Sequence, residues 1–166
     1  MEDTIVERPE LFRTTDDGAR QTAASLMGMA RFATLAFVDP ASQAPSISRI
    51  GLARAPDGTL VSLMSELAGH RLALRRDARA ALLIGEPGPK GDPLNSARLS
   101  LHVSAASVSK SSDDHMALRQ SWLESHPKAG LYIDFADFGF VRFQIIGGLL
   151  NGGFARAYRL TPDDLA

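Results

Sequence analysis

A hydroxyl, a glycine, a histidine and an arginine fall within seven residues of chain at Ser65, Gly69, His70 and Arg71. They lie in LVSLMSELAGHRLALRRDARAALLIG, Leu60 to Gly85, which reads as a strand, a short basic helix and a second strand. The four residues therefore stand where the helix begins. Free backbone N–H groups point outward there, and the helix dipole favours negative charge. The set suits capture of a phosphate. Without an anion, His70 and Arg71 oppose the dipole at a cost of about 0.3–1 kcal/mol. Arg49 is a further cation candidate, because it interrupts the strand ISRIGLA. Gly51, two residues on, points to close approach of a ligand or another backbone. Arg98 and His102 share the polar face of a strand in which Leu99, Leu101, Val103 and Ala105 form the apolar face.

Other candidates read as structure. Arg75, Arg76 and Arg79 make a solvated face. Ser112, Asp113 and Asp114 suit a helix cap and first turn. His126 before Pro127 is a helix stop. Phe135, Phe138, Phe140 and Phe143 read as core and subunit interface.

These residues need a scaffold, and the chain is long enough to build one. It has 166 residues, 45% apolar and 22% charged, with a net charge of −1. That fits one soluble globular domain and gives no electrostatic case for nucleic acid or an anionic membrane. There is no cysteine, which excludes disulfides, thiol nucleophiles and cysteine-held metals. MEDTIVERPELFR is too charged for a signal peptide, and no apolar run approaches the roughly 20 residues of a membrane span. The expected location is cytoplasmic.

The domain expectation is an N-terminal arm over residues 1–14 and one domain over 15–166. A helix should open at Asp16–Asp17 and run to about Met29, with Ala19, Ala23, Leu26 and Met27 as its apolar stripe. Strands follow over 31–38, 46–54 and 59–65, a basic helix over 67–76, and strands over 79–85 and from 98. EPGPKGDPLN is a surface loop. A helix capped at Ser111 or Ser112 ends at His126, and a short helical turn spans about 128–133. The last strands are expected over 138–146 and 153–160, joined by the glycine-bearing connection 147–152. About seven strands with mostly short links make a largely antiparallel sheet, and closure into a barrel removes its edges.

Four segments, SELAGHRLALRRDARAALLIGEPG, GDPLNSARLSL, WLESHPKAGLYIDFADFGFVRF and NGGFARAYRL, together resemble the pyridoxamine-5′-phosphate-oxidase-like family of FMN-binding split barrels. The nearest branch is the haem-utilisation (HugZ-like) proteins. The resemblance implies a mainly β, α+β fold: an antiparallel six- to seven-stranded split barrel with flanking helices. It also implies a homodimer with two ligand sites at the interface. The flavin phosphate would meet a basic strand residue, matched to within one position by Arg49, with Ser65, His70 and Arg71 completing the clamp and Ile50, beside Arg49, also in the cofactor site. Arg98 would approach the flavin ring and stabilise its reduced anion.

The chain departs from the family pattern in several places, one of them the clamp itself, where the oxidase has Arg-Lys and this chain has His70-Arg71. Ala73 and Ala78 stand where the haem branch has Asn and Pro. The oxidase's Arg-x-His substrate motif has no counterpart after Phe154. No histidine follows His126, although the haem branch draws its axial histidine from a C-terminal segment. The expected function is an FMN-dependent oxidoreductase of a small substrate. A haem-binding or haem-degrading protein, a non-catalytic flavin module, and F420 in place of FMN are the alternatives.

Overall fold

The computed structural model describes residues 12–153 and 155–166, so the expected arm lies outside the described residues as far as residue 11. At its end the Arg13 N–H donates to the Ala157 carbonyl at 2.8 Å, which ties it to the domain.

The elements are α1 (Asp17–Met29), β1 (Phe32–Val38), β2 (Pro45–Gly51), β3 (Ala53–Arg54), β4 (Leu60–Ser65), α2 (Gly69–Arg76), β5 (Arg79–Ile84), β6 (Arg98–Ser107), α3 (Asp113–Ser125), β7 (Phe138–Asn151) and β8 (Ala157–Leu160). The strands form one sheet in the order β2-β1-β5-β6-β7-β4-β3, with β8 also on β7. Every pairing between these strands is antiparallel. The two ends of this order, β2 and β3, are separated in sequence by Leu52 alone. A sheet whose outermost strands are joined through one residue must curl until they meet. That curl is the split barrel, and the chain is mainly antiparallel β with three α-helices.

Two sequence expectations change. The strand over 46–54 is two strands, because at Leu52 the backbone leaves β1 and crosses to β4. The glycine stretch 147–152 is not a loop: β7 runs through it to Asn151. A Cβ on Gly148 would lie 3.0 Å from Leu101 Cδ2 and 3.1 Å from the Ser100 carbonyl, so glycine serves close strand packing there. The register shifts opposite His102/Val103, which makes Ile146 the extra residue of a bulge. The turn comes later, at Gly153 with φ +110°.

The barrel interior holds Leu35, Leu60, Leu82, Leu99, Leu101, Phe143 and Leu150. Helix α1 closes one end with Ala19, Ala23 and Met27, the face its apolar spacing dictates. Asp16 caps it by accepting the Ala19 N–H at 2.7 Å. A second apolar cluster lies outside the barrel, where Leu118 and Trp122 of α3 pack on Ala53, Val61, Leu63 and Phe140. Strand β4 is thus covered on both faces, which explains its unbroken run LVSLM. Phe140 and Phe143 are core, as expected, whereas Phe135 is exposed.

Candidate functional site

The expected site residues divide between two places. Ser65, His70 and Arg71 lie at the start of α2. Arg49 and Arg98 lie on the outer face of the sheet, and Ile50 points into the barrel.

At the α2 corner the charges are already matched. The side chain of Arg71 is only 4% exposed. Its Nε and Nη2 donate to one oxygen of Glu66, Oε1, at 3.0 and 2.7 Å. Arg75 Nη1 donates to the other oxygen at 3.0 Å. Hydrogen bonding and charge from Arg71, then Arg75, hold the Glu66 carboxyl below the ordinary range. Gly139 makes room for the pair, since a Cβ there would lie 3.5 Å from Glu66 Oε1. Ser65 Oγ donates to Asp137 Oδ2 at 2.7 Å and accepts from the Leu67 N–H at 3.2 Å. Arg71, expected to face a ligand's phosphate, is therefore buried against a carboxylate of its own chain. A buried guanidinium demands such a partner. His70 sits edge-on to Phe37 with ring centroids 6.4 Å apart. Burial first, and the Arg71 charge second, lower its pKa and keep the ring neutral at neutral pH.

The outer face is built differently. Register and two-residue alternation lay residues across it in rows. Ile47, Ala36, Ala81, His102 and Gly147 form one row, and Arg49, Thr34, Leu83, Ser100 and Leu149 the next. Arg98 stands in a third, opposite Asn151. The Arg49 side chain is 75% exposed, with its guanidinium 5.2 Å from the centroid of Phe32 and 3.9 Å from Glu86 Oε1. Arg98 Nη1 donates to the carbonyls of Leu94 and Ser96 at 3.0 and 3.4 Å. His102 is exposed, and among the described residues its ring has no hydrogen-bond partner.

The remaining signals resolve as structure. A Cβ on Gly51 would lie 3.1 Å from Trp122, so the close approach expected there comes from the indole of α3. His126 stacks on Trp122 at 4.1 Å, and its ring nitrogens contact Ser125 Oγ at 2.8 Å and the Arg31 carbonyl at 2.7 Å. Ser112 caps α3, as expected. Asp114 does more than fill a first turn: with Asp57 it holds Arg142, at 2.5 and 2.8 Å. The sequence reading missed that network because its members lie on three separate elements.

No family model matches the chain. Over 100 residues it is 35% identical to the chloroplastic heme oxygenase HOZ of Arabidopsis thaliana, which covers 60% of this chain and 29% of that protein. One solved structure is 40% identical with a TM-score of 0.83, covering 92% of this chain and 98% of the other. The heme binding protein from Mycobacterium smegmatis is 26% identical with a TM-score of 0.79, over 91% of this chain and 61% of that one. A pyridoxamine 5′-phosphate oxidase-like protein from Listeria innocua shares the fold at a TM-score of 0.62 and 14% identity, over 81% of this chain and 98% of that one. The chain thus spans less than a third of the length of its curated relative.

Proposed function

Because the chain belongs to the pyridoxamine-5′-phosphate-oxidase-like family of split barrels, and its fold fits the haem-utilisation branch, we propose that it is a haem-binding protein of haem use or breakdown. One observation carries this choice over flavin. The cation matched to the flavin-phosphate clamp, Arg71, is buried against Glu66, and the matched hydroxyl, Ser65, is held by Asp137. A phosphate dianion docking on Ser65 and Arg71 would have to displace the carboxylates of Asp137 and Glu66 that already hold them. Haem needs no such clamp. It asks for a flat apolar surface, an axial donor, and cations at the rim for its propionates. The named ligand of both the Arabidopsis and the Mycobacterium relative is haem, which supports the same reading.

The second reading is an FMN-dependent oxidoreductase. Arg49 favours it, since its exposed guanidinium meets the Glu86 carboxylate only at 3.9 Å and keeps donors available to a phosphate. In either case the protein acts as a homodimer with the ligand between two outer faces. The apolar side chains Phe32, Val38, Ile47 and Leu83 are left bare there, and a second copy would cover them. A cytoplasmic location suits a chain without cysteine. Among the described residues no helix is long and apolar enough to cross a membrane.

Visible absorbance of the purified protein, with mass spectrometry of the chromophore released on denaturation, separates the readings. Haem and a Soret band are expected. A protein that carries flavin, and shows no Soret band when haem is added, would overturn the haem reading.

A further inference from the structure

On the outer sheet face, we infer that His102 is the axial ligand of a haem laid over β5, β6 and β7, a role that rests on the haem reading above. The ground around this one imidazole is unusually open. Across the row its neighbours are Ala81 on β5 and Gly147 on β7, with Ala36 on β1 beyond Ala81. Along β6 its neighbours on the same face are Ser100 and Ser104. Those direct neighbours carry nothing larger than a methyl or a hydroxymethyl group, and the larger side chains, Ile146 of the bulge with Arg79 and Leu83 on the diagonals of β5, stand around them. The ring therefore stands in a shallow trough that a broad flat ligand can enter. The trough has an apolar rim in Leu83, Ile146 and Ile47, all exposed, and Ile146 is the bulge residue next to Gly147.

The rim also carries the charges a porphyrin dicarboxylate needs. Arg98 lies four residues from His102 on the same strand and face, about 13 Å away at 3.3 Å per residue. Arg49 lies one row over, three strands away. Arg98 uses one nitrogen on the Leu94 and Ser96 carbonyls and Arg49 reaches Glu86 only at 3.9 Å, so each guanidinium keeps donors for a propionate.

The other histidines are less well placed. His126 is engaged at both ring nitrogens. His70 is half-buried against Phe37. His115 packs edge-on to Phe140 with centroids 5.3 Å apart, and the carboxylates of Asp114 and Asp134 face it. On the open face, only His102 offers a free nitrogen.

The test is haemin titration of the full chain and of H102A, H70A and H115A, read by absorbance and electron paramagnetic resonance. H102A is expected to lose the histidine-ligated spectrum and at least tenfold in haem affinity, and added imidazole should restore the spectrum. Ala81→Leu fills the trough while keeping His102, and should also weaken binding. H70A and H115A should match the unsubstituted protein. If H102A keeps the unsubstituted spectrum, or the loss appears in H70A or H115A instead, the assignment of His102 is wrong while the haem reading stands. If the unsubstituted protein gives no Soret band, the haem reading fails and His102 with it.

Discussion

The corner at α2 and the outer sheet face both hold cations and a histidine, yet they are finished to different degrees. At the corner, Arg71 is buried, Glu66 answers it with hydrogen bonds of 3.0 and 2.7 Å, and His70 is partly covered. On the face, Arg49 and His102 stand in solvent with small residues between the strands. The corner is self-sufficient, so its charges contribute to folding. The face is incomplete, so its charges are available to something else. A motif match cannot tell these cases apart, because it records residue types and not what each charge already touches.

The contrast can be broken first at Glu66. Glu66→Leu leaves the Arg71 guanidinium buried without a partner and should lower unfolding stability by about 3 kcal/mol, read by denaturant titration. Adding Arg71→Met should recover most of that loss, since removing both members leaves no orphan charge. A Glu66→Leu protein as stable as the original would mean that the corner is not closed by this pair. Gly51→Val places a Cβ against the indole of Trp122 and should destabilise by about 1–3 kcal/mol. A gain of stability there would show that the glycine was kept for a ligand.

Arg49→Ala should do the opposite of Glu66→Leu. Stability should stay within about 0.5 kcal/mol, while haem affinity falls about tenfold, or roughly 1.4 kcal/mol. The smallest effect concerns acid. Glu66, Asp57 and Asp114 have folded pKa values held below their ordinary ones, by Arg71, by the Thr59 N–H and by Arg142 respectively. Their stabilisation is complete above the unfolded carboxylate values of about 4. It is lost as pH falls through the lowered folded values. Asp77, paired with Arg79, titrates last, at about 2. The thermal unfolding temperature should therefore fall steadily below pH about 4 and stay flat above it with respect to these groups.

Much of the fold was legible because it rests on local signals. Asp16 opened α1, Ser112 opened α3 and Pro127 closed it, as their chemistry demands. The alternation of β6 gave both its faces. Errors arose where one residue type has two uses. The glycines at 147 and 148 permit a turn, but here they admit a neighbouring strand. Leu52 looked like strand interior, and only closure of the barrel makes it the crossing point. The site was legible as a list of residues and not as a place. Ser65, His70 and Arg71 do come together, but Glu66 sits one residue from Ser65 and five from Arg71, and no spacing rule marks it as their counter-ion. His102 read as an ordinary wet-face residue because the smallness of Ala81 and Gly147 matters only once register puts them beside it.

An iron-edge anomalous difference map from crystals grown with haem tests the account most directly. A single iron peak at coordination distance from a ring nitrogen of His102, above the outer face of β6, is the expected result. A peak elsewhere, or a flavin whose phosphate has displaced Glu66 from Arg71, would contradict it.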